Sequence, residues 1–180
     1  SKCIVFVTDK DLASELTSYL SKQFPDSVKL NTGEPDLVEH FMAGTTIKVL
    51  VCDQSSEEGL NLQFSNACIV HFDVPLSVNR IEQRIGRLDR LGIRMPKALS
   101  VVLHPTSGYE QKWVKCVTDS IGVFDRSIAG LQHIMDEVGD LVRNRGLHEG
   151  TELIDELSSQ LRASKGSLSL KAEELRTISQ

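Results

Sequence analysis

The run CIVFV at residues 3–7 decides the fold class of this chain. Five consecutive apolar residues, rich in β-branched and aromatic side chains, predict a short strand that is buried on both faces. A helical pattern follows at once, with Leu12 and Leu16 on one face and Thr8 or Asp9 positioned to cap the first turn. A doubly buried strand followed by an amphipathic helix is typical of a sheet whose strands run parallel.

The same alternation continues to residue 104. Four more strand-like runs lie at residues 28–30, 47–52, 67–72 and 98–103. Helix-like segments lie at residues 35–43 and 77–91. We therefore predict an α/β fold, with a mostly parallel sheet and helices on both faces. Functional residues of such sheets collect at the carboxyl ends of the strands, which here places the loops after residues 7, 31, 52 and 72 along one edge.

After Pro105 the strand pattern stops. Helical patterns lie at residues 109–121, 124–144, 152–163 and 170–178, with joints expected at 146–150 and 164–167. We therefore expect two parts: an α/β lobe over residues 1–104 and a helical extension over residues 105–180.

Composition excludes several classes of protein. The chain has 180 residues, 40% of them hydrophobic, and a net charge of −5, which argues against disorder and against a nucleic-acid binder that is basic all over. No apolar run approaches the roughly 20 residues of a membrane helix. The four cysteines form no C-x-x-C pair and the five histidines have no ligand spacing, so no metal site is predicted and the cysteines are expected to be free thiols of the core.

The chemistry is concentrated in the sequence QRIGRLDR at residues 83–90. On a helix, five side chains at spacings of 3 and 4 form one polar stripe: Arg80, Gln83, Arg87, Arg90 and Arg94. Residues 80–97 carry 6 positive and 2 negative charges inside an acidic protein. Such a stripe is ordinarily a solvated face, and the alternative is a site for an anionic ligand. Gly86, in the middle of this pattern, indicates either close packing or a need for access.

The order of these motifs resembles superfamily-2 helicases and translocases. Residues 83–90 resemble motif VI, EGLNL at 58–62 resembles motif V, residues 3–8 resemble motif IV, and TGE at 32–34 resembles the next short motif. Within the superfamily the likeness is to the Swi/Snf type, especially its bacterial RNA-polymerase-associated members. The resemblance covers residues 2–104.

The resemblance implies a RecA-like second lobe of a two-lobe motor, with ATP and Mg²⁺ bound between the lobes. The phosphate loop would come from an N-terminal RecA-like lobe, because no G-x-x-x-x-G-K-[ST] occurs in these 180 residues. This chain alone is therefore expected to bind no cofactor tightly and to be inactive. The resemblance assigns catalysis to Arg87 and Arg90, and nucleotide contacts to Gln83, Glu58 and Gly59. Arg84 lies off the stripe and is expected to pair with a carboxylate or a phosphate, most simply in a structural role.

Double-stranded DNA is the implied polymer, contacted through phosphates at the edge loops. Six polar residues are the candidates for this contact: Thr8, Asn31, Thr32, Ser55, Ser56 and Asn61. Two features depart from the family pattern. Glu57 stands where many Swi/Snf members have a small or neutral residue, and the helix after residue 34 is short. Glu57 and Glu58, adjacent in a loop, are expected to be solvated.

Two functions remain open from the sequence. The first is the second lobe of an ATP-dependent double-stranded-DNA translocase or remodeller, in the bacterial cytoplasm at the nucleoid. The second is an interaction module, in which the helices of residues 105–180 dock RNA polymerase or another complex subunit. A dinucleotide-binding protein would need a glycine-rich turn after the first strand, and residues 8–11 contain no glycine.

Overall fold

The computed structural model describes residues 2–44, 46–57, 60, 62, 67–87, 99–125, 128 and 132–163. The chain divides into two compact units. The first comprises Ser1–Val74 and Gln83–Leu103, and the second comprises Pro75–Glu82 and His104–Gln180.

A parallel sheet forms the centre of the first unit. Its five strands are β1 (Lys2–Phe6), β2 (Val28–Asn31), β3 (Val49–Cys52), β4 (Ala67–His71) and β5 (Ser100–Val102). They lie in the order β2-β3-β1-β4-β5, and every neighbouring pair is parallel. The strand-like runs of the sequence thus correspond to the observed strands, and the predicted parallel sheet is confirmed.

Three helices accompany these strands: α1 (Lys10–Gln23), α2 (Pro35–Ala43) and α3 (Val78–Gly86). Of the two candidate caps for α1, Asp9 is the one used, because its carboxylate accepts a hydrogen bond from the amide of Leu12 at 2.8 Å. Helix α3 begins at Val78, one residue later than predicted, and residues 88–91 of that prediction lie outside the described residues.

Two apolar clusters cover the two faces of the sheet, because side chains alternate along each strand. Ile4 and Phe6 of β1 pack with Phe41 of α2 in one cluster. Val5 and Val7 belong to the other, together with Ala13 of α1. Helices therefore lie on both faces, as predicted.

The second unit is helical. It contains α4 (Tyr109–Lys115), which continues into a π-helix (Cys116–Ile121), then α5 (Gln132–Glu149) and α6 (Thr151–Ala163). The indole Nε1 of the buried Trp113 donates to the carbonyl of Pro75 at 3.1 Å. Among the described helices, none is long and apolar enough to cross a membrane.

Two expectations about these helices are wrong. The helix predicted from residue 124 begins at Gln132, since residues 123–125 form a turn. The joint predicted at residues 146–150 is reduced to Gly150, which has a φ of +61°. Gly146 is inside α5 and buried, and an added Cβ there would collide with the hydroxyl of Tyr109. The small residue is thus needed for packing. The expected joint at 164–167 and helix at 170–178 lie outside the described residues.

Candidate site at the carboxyl edge of the sheet

Polar residues follow four neighbouring strands at the same edge of the sheet. Thr8 lies just beyond β1, Asn31 ends β2, Asp53 follows β3, and Asp73 lies just beyond β4. Because all the strands are parallel, their carboxyl ends meet at one edge. The predicted edge is therefore real, and it gathers the loops that the sequence singled out.

Thr8 and Asp73 tie the ends of β1 and β4 together. The amide of Thr8 donates to Asp73 Oδ2 at 2.7 Å and to Oδ1 at 3.0 Å. The hydroxyl of Thr8 also donates to Oδ1 at 2.6 Å. The Asp73 carboxylate thus holds both polar hydrogens of Thr8.

The loop after β3 is organised around Asp53. Its Oδ1 accepts hydrogen bonds from the hydroxyl of Ser55 at 2.7 Å and from the amide of Ser56 at 2.8 Å. The hydroxyl of Ser56 donates to the carbonyl of Asp53 at 3.1 Å. Burial by itself would raise the pKa of the Asp53 carboxyl, but the hydrogen bonds from Ser55 and Ser56 outweigh it, and the pKa lies below its ordinary value. Asp53 is therefore a carboxylate that builds its own loop.

Asn31 joins this loop to β2. It is 3% exposed, and its side-chain amide donates to the carbonyl of Ser56 at 3.4 Å. Its Oδ1 accepts from the amide of Gly33 at 3.1 Å. Gly33 has a φ of +86°, a conformation that favours glycine.

Arg84 connects these loops to α3. It is 1% exposed. Its Nε donates to Glu57 Oε1 at 2.8 Å, and Nη2 lies 2.7 Å from the same oxygen. Nη1 donates to the carbonyl of Asp73 at 3.0 Å, and Nη2 donates to the hydroxyl of Thr8 at 3.2 Å. The guanidinium carbon lies 5.2 Å from the ring centroid of Phe6.

The sequence left two partners open for Arg84, and the structure provides the carboxylate. The expectation that Glu57 is solvated is wrong, because Glu57 is only 6% exposed. A signal for this pair was present in the sequence, because Arg84 lies three residues after the apolar Ile81 and therefore on the same side of a helix. In the structure Ile81 is fully buried, so this is the inward side of α3. A buried guanidinium requires a carboxylate nearby.

His71, the last residue of β4, is fully buried beside this cluster. Burial, and to a lesser degree the positive charge of Arg84, lowers the pKa of His71 to about 3. The imidazole is therefore neutral at physiological pH.

Of the predicted nucleotide residues, the structure describes two: Gln83 on α3, and Arg87 directly after that helix. Gln83 is exposed, and Arg87 is partly exposed with its Nη1 3.5 Å from the carbonyl of Leu60. Arg90, Glu58 and Gly59 lie outside the described residues. The catalytic and nucleotide-binding roles of these five residues stay predictions.

Most of the described residues that were predicted to contact DNA use their side-chain donors within the chain. Thr8, Asn31, Ser55 and Ser56 use their side-chain donors within the loops described above. Thr32 is exposed, and Asn61 lies outside the described residues. DNA contact by these six residues stays a prediction.

The described residues offer no magnesium site. Among them, no group of three or more His, Cys, Asp or Glu side chains could hold a metal ion. Asp53, Asp73 and Glu57 each accept hydrogen bonds from this chain's own donors. A phosphate fits better, because Gln83 is exposed and Arg87 is partly exposed, and both carry hydrogen-bond donors.

Sequence comparison identifies the family of the N-terminal half of the chain. The helicase conserved C-terminal domain family matches residues 1–92. The RNA polymerase-associated protein RapA of Klebsiella pneumoniae (strain 342) is 30% identical over 136 residues, which cover 72% of this chain and 13% of that protein. The uncharacterized ATP-dependent helicase YqhH of Bacillus subtilis (strain 168) is 30% identical over 107 residues, which cover 59% of this chain and 18% of that protein. The chain thus spans less than a fifth of the length of these relatives.

Structural comparison agrees on the fold. The crystal structure of the C-terminal part of the Fun30 ATPase domain has a TM-score of 0.52 and 16% identity, and the match covers 82% of this chain and 48% of that chain. The C-terminal domain of the DEAD-box protein Dbp5 has a TM-score of 0.51 and 22% identity, covering 67% of this chain and 70% of that chain. The RecA-like fold and the resemblance to superfamily-2 helicases, including the RNA-polymerase-associated members, are confirmed. This chain belongs to the helicase conserved C-terminal domain family.

Proposed function

We propose that this chain is the second lobe of an ATP-dependent double-stranded-DNA translocase, and that Arg87 and Arg90 reach into an ATP site shared with a first RecA-like lobe. One observation carries the proposal. Arg87 lies at the end of α3, partly exposed, whereas Arg84, three residues earlier, is buried among carboxylates. The two arginines therefore have different tasks, and only Arg87 is available to a ligand.

A guanidinium in that position suits phosphoryl transfer. Negative charge spreads over the γ-phosphate oxygens in the transition state, and an arginine delivered from a second lobe stabilises it. Arginine is better suited than lysine because its planar fork holds two oxygens at once. Gln83, exposed on the preceding turn, would orient the nucleotide through its amide.

The cofactors in the whole protein would be ATP and Mg²⁺. Magnesium would neutralise the negative charge that develops on the phosphate groups. The described carboxylates at the edge, Asp53, Asp73 and Glu57, are engaged by donors of this chain, so the ligands for magnesium would come from the first lobe. The contribution of this chain is to place guanidinium groups.

DNA would pass over the edge loops and be held through its phosphates. The exposed Thr32 and the backbone of the 53–57 loop are suitable donors. The name of one relative, RNA polymerase-associated protein RapA, makes RNA polymerase a second candidate partner of the whole protein. Both relatives are bacterial proteins, and we propose that the whole protein acts in the cytoplasm at the nucleoid, as expected from the sequence.

The interaction module has weaker support. Large apolar side chains that are exposed in the described parts of the chain belong to the first unit: Leu12, Tyr19, Phe24, Leu99, Val101 and Leu103. Among the side chains of the second unit whose burial the structure describes, none that is large and apolar is exposed for docking.

The test is Arg87→Ala in the complete protein. We expect single-turnover ATP hydrolysis with double-stranded DNA to fall by roughly 10²–10⁴, because transition-state charge is no longer stabilised. The Kd for ATP should change much less. Arg143→Ala removes an exposed guanidinium from α5 and is the control for a simple change of charge. Hydrolysis by Arg87→Ala at the wild-type rate would contradict the proposed function.

A further inference from the structure

Three loops of the carboxyl edge converge on one side chain. The guanidinium of Arg84 donates hydrogen bonds to Thr8 at the end of β1, to Glu57 in the loop after β3, and to Asp73 at the end of β4. The guanidinium is fully buried, with a side-chain exposure of 0%, and that of Glu57 is 9%. A charged pair that is buried loses its hydration. The attraction between the two charges offsets this loss only when their geometry is well defined.

The position of Arg84 determines that of Arg87, because backbone hydrogen bonds link the two residues. The backbone amide of Arg87 donates to the carbonyl of Gln83 at 3.2 Å and to that of Arg84 at 3.3 Å, so Arg87 is held by the last turn of α3. Arg87 Nη1 also lies 3.5 Å from the carbonyl of Leu60, which is three residues after Glu57 in the sequence. A movement of α3 relative to this loop would therefore change the position of Arg87 relative to Leu60.

We propose that Glu57 and Arg84 form a positioning pair: the ion pair joins the 53–57 loop to α3 and thereby sets the place of Arg87. This rests on the proposed function, in which Arg87 acts on the nucleotide. Neither Glu57 nor Arg84 touches the nucleotide, and both act through Arg87.

A double-mutant cycle in the complete protein tests the pair. Glu57→Gln keeps the shape and one acceptor oxygen but removes the charge. We expect it to lower kcat for DNA-stimulated ATP hydrolysis by roughly 10–100-fold, because a small misplacement of a catalytic group is costly, and to leave KM for ATP within about twofold. In an Arg87→Ala background the same substitution should lower kcat by less than about twofold, because the group being positioned is gone.

Arg84→Lys repeats the cycle from the other side. It keeps the charge but cannot reach Glu57, Thr8 and Asp73 at once, so we expect the same dependence on Arg87. It also carries the test should Glu57→Gln fail to fold, which circular dichroism and thermal melting would reveal. Glu57→Asp, which keeps the charge on a shorter side chain, should recover part of the lost kcat.

The outcomes separate the two proposals. Equal losses with and without Arg87, or unchanged kcat in both Glu57→Gln and Arg84→Lys, would overturn the positioning pair while Arg87→Ala alone remained strongly impaired. If Arg87→Ala alone retained wild-type kcat, the proposed function would fail first, and the positioning pair would fail with it.

Discussion

Arg84 and Glu57 show how much a single residue contributes at this edge. Removing one partner of a buried ion pair leaves the other charge without compensation, and such losses cost about 3–5 kcal/mol of folding free energy. Arg87 is partly exposed, and truncation of such side chains changes stability by roughly 0.5 kcal/mol or less. Two arginines three residues apart on one helix therefore differ in kind. Arg84 is required for the structure of the edge, and Arg87 is available for a ligand.

His71 makes the folded chain sensitive to acid. Its pKa is about 3 in the folded chain against 6.5 ordinarily, so between these values the unfolded chain binds a proton that the folded chain does not. The stability that depends on a neutral His71 is therefore complete above about pH 6.5 and is lost as the pH falls toward 3. We expect the melting temperature to fall more steeply from pH 7.5 to pH 5 in the wild type than in His71→Asn.

Thermal melts of the two proteins across that range measure the difference directly. Any other groups that titrate in this range are common to both proteins and cancel in the comparison. Parallel declines would show that His71 is protonated in the folded chain as easily as in the unfolded one.

At the scale of elements, α3 carries the buried Arg84, and the partly exposed Arg87 follows directly after its last residue. Its last residue, Gly86, is exposed, and no atom in the described part of the chain lies within 4 Å of an added Cβ. Of the two explanations that the sequence allowed, close packing is therefore not supported by the described residues. Access for a ligand or a second lobe remains as the reason for a glycine.

We expect Gly86→Ala to raise the free energy of unfolding by about 0.4–1 kcal/mol, because alanine restricts the unfolded chain and meets no obstacle in the helix. Urea unfolding of this chain measures the change. Gly146→Ala is the matched control, since a Cβ at Gly146 collides with Tyr109 and should give no such gain. A clear loss of stability in Gly86→Ala would indicate a neighbour that packs against this position.

At the scale of the whole molecule, a chain that carries only half of an ATP site should not hydrolyse ATP. The 180 residues contain no phosphate loop, and the described carboxylates at the edge are held by the chain's own donors. We expect this chain alone to hydrolyse no ATP with double-stranded DNA present. The same chain carrying Arg87→Ala measures the background of contaminating ATPases. Turnover by the wild-type chain above that background would contradict a shared site.

The division of the chain also belongs to this scale. The sequence predicts a boundary after residue 104, and that boundary stays a prediction. The compact units of the structure change over between Leu103 and His104, and the second unit also includes Pro75–Glu82. The first five residues of α3 are grouped with the helical unit, while Gln83 and the residues after it are grouped with the sheet. Sequence patterns follow chain order and do not reveal such an exchange.

The sequence by itself determined the order of strands and helices in the first unit, the parallel sheet, and the edge at which polar residues gather. These follow from local periodicity and from the chirality of parallel crossovers, which are properties of short stretches of chain. Motif order was enough to identify the family. Only the tertiary structure decided that Glu57 is buried against Arg84, that Asn31 and Ser56 serve their own loops, and that α5 runs through Gly146. Those outcomes depend on which distant residues supply charge, hydrogen bonds or space, and that information is absent from any single stretch of sequence.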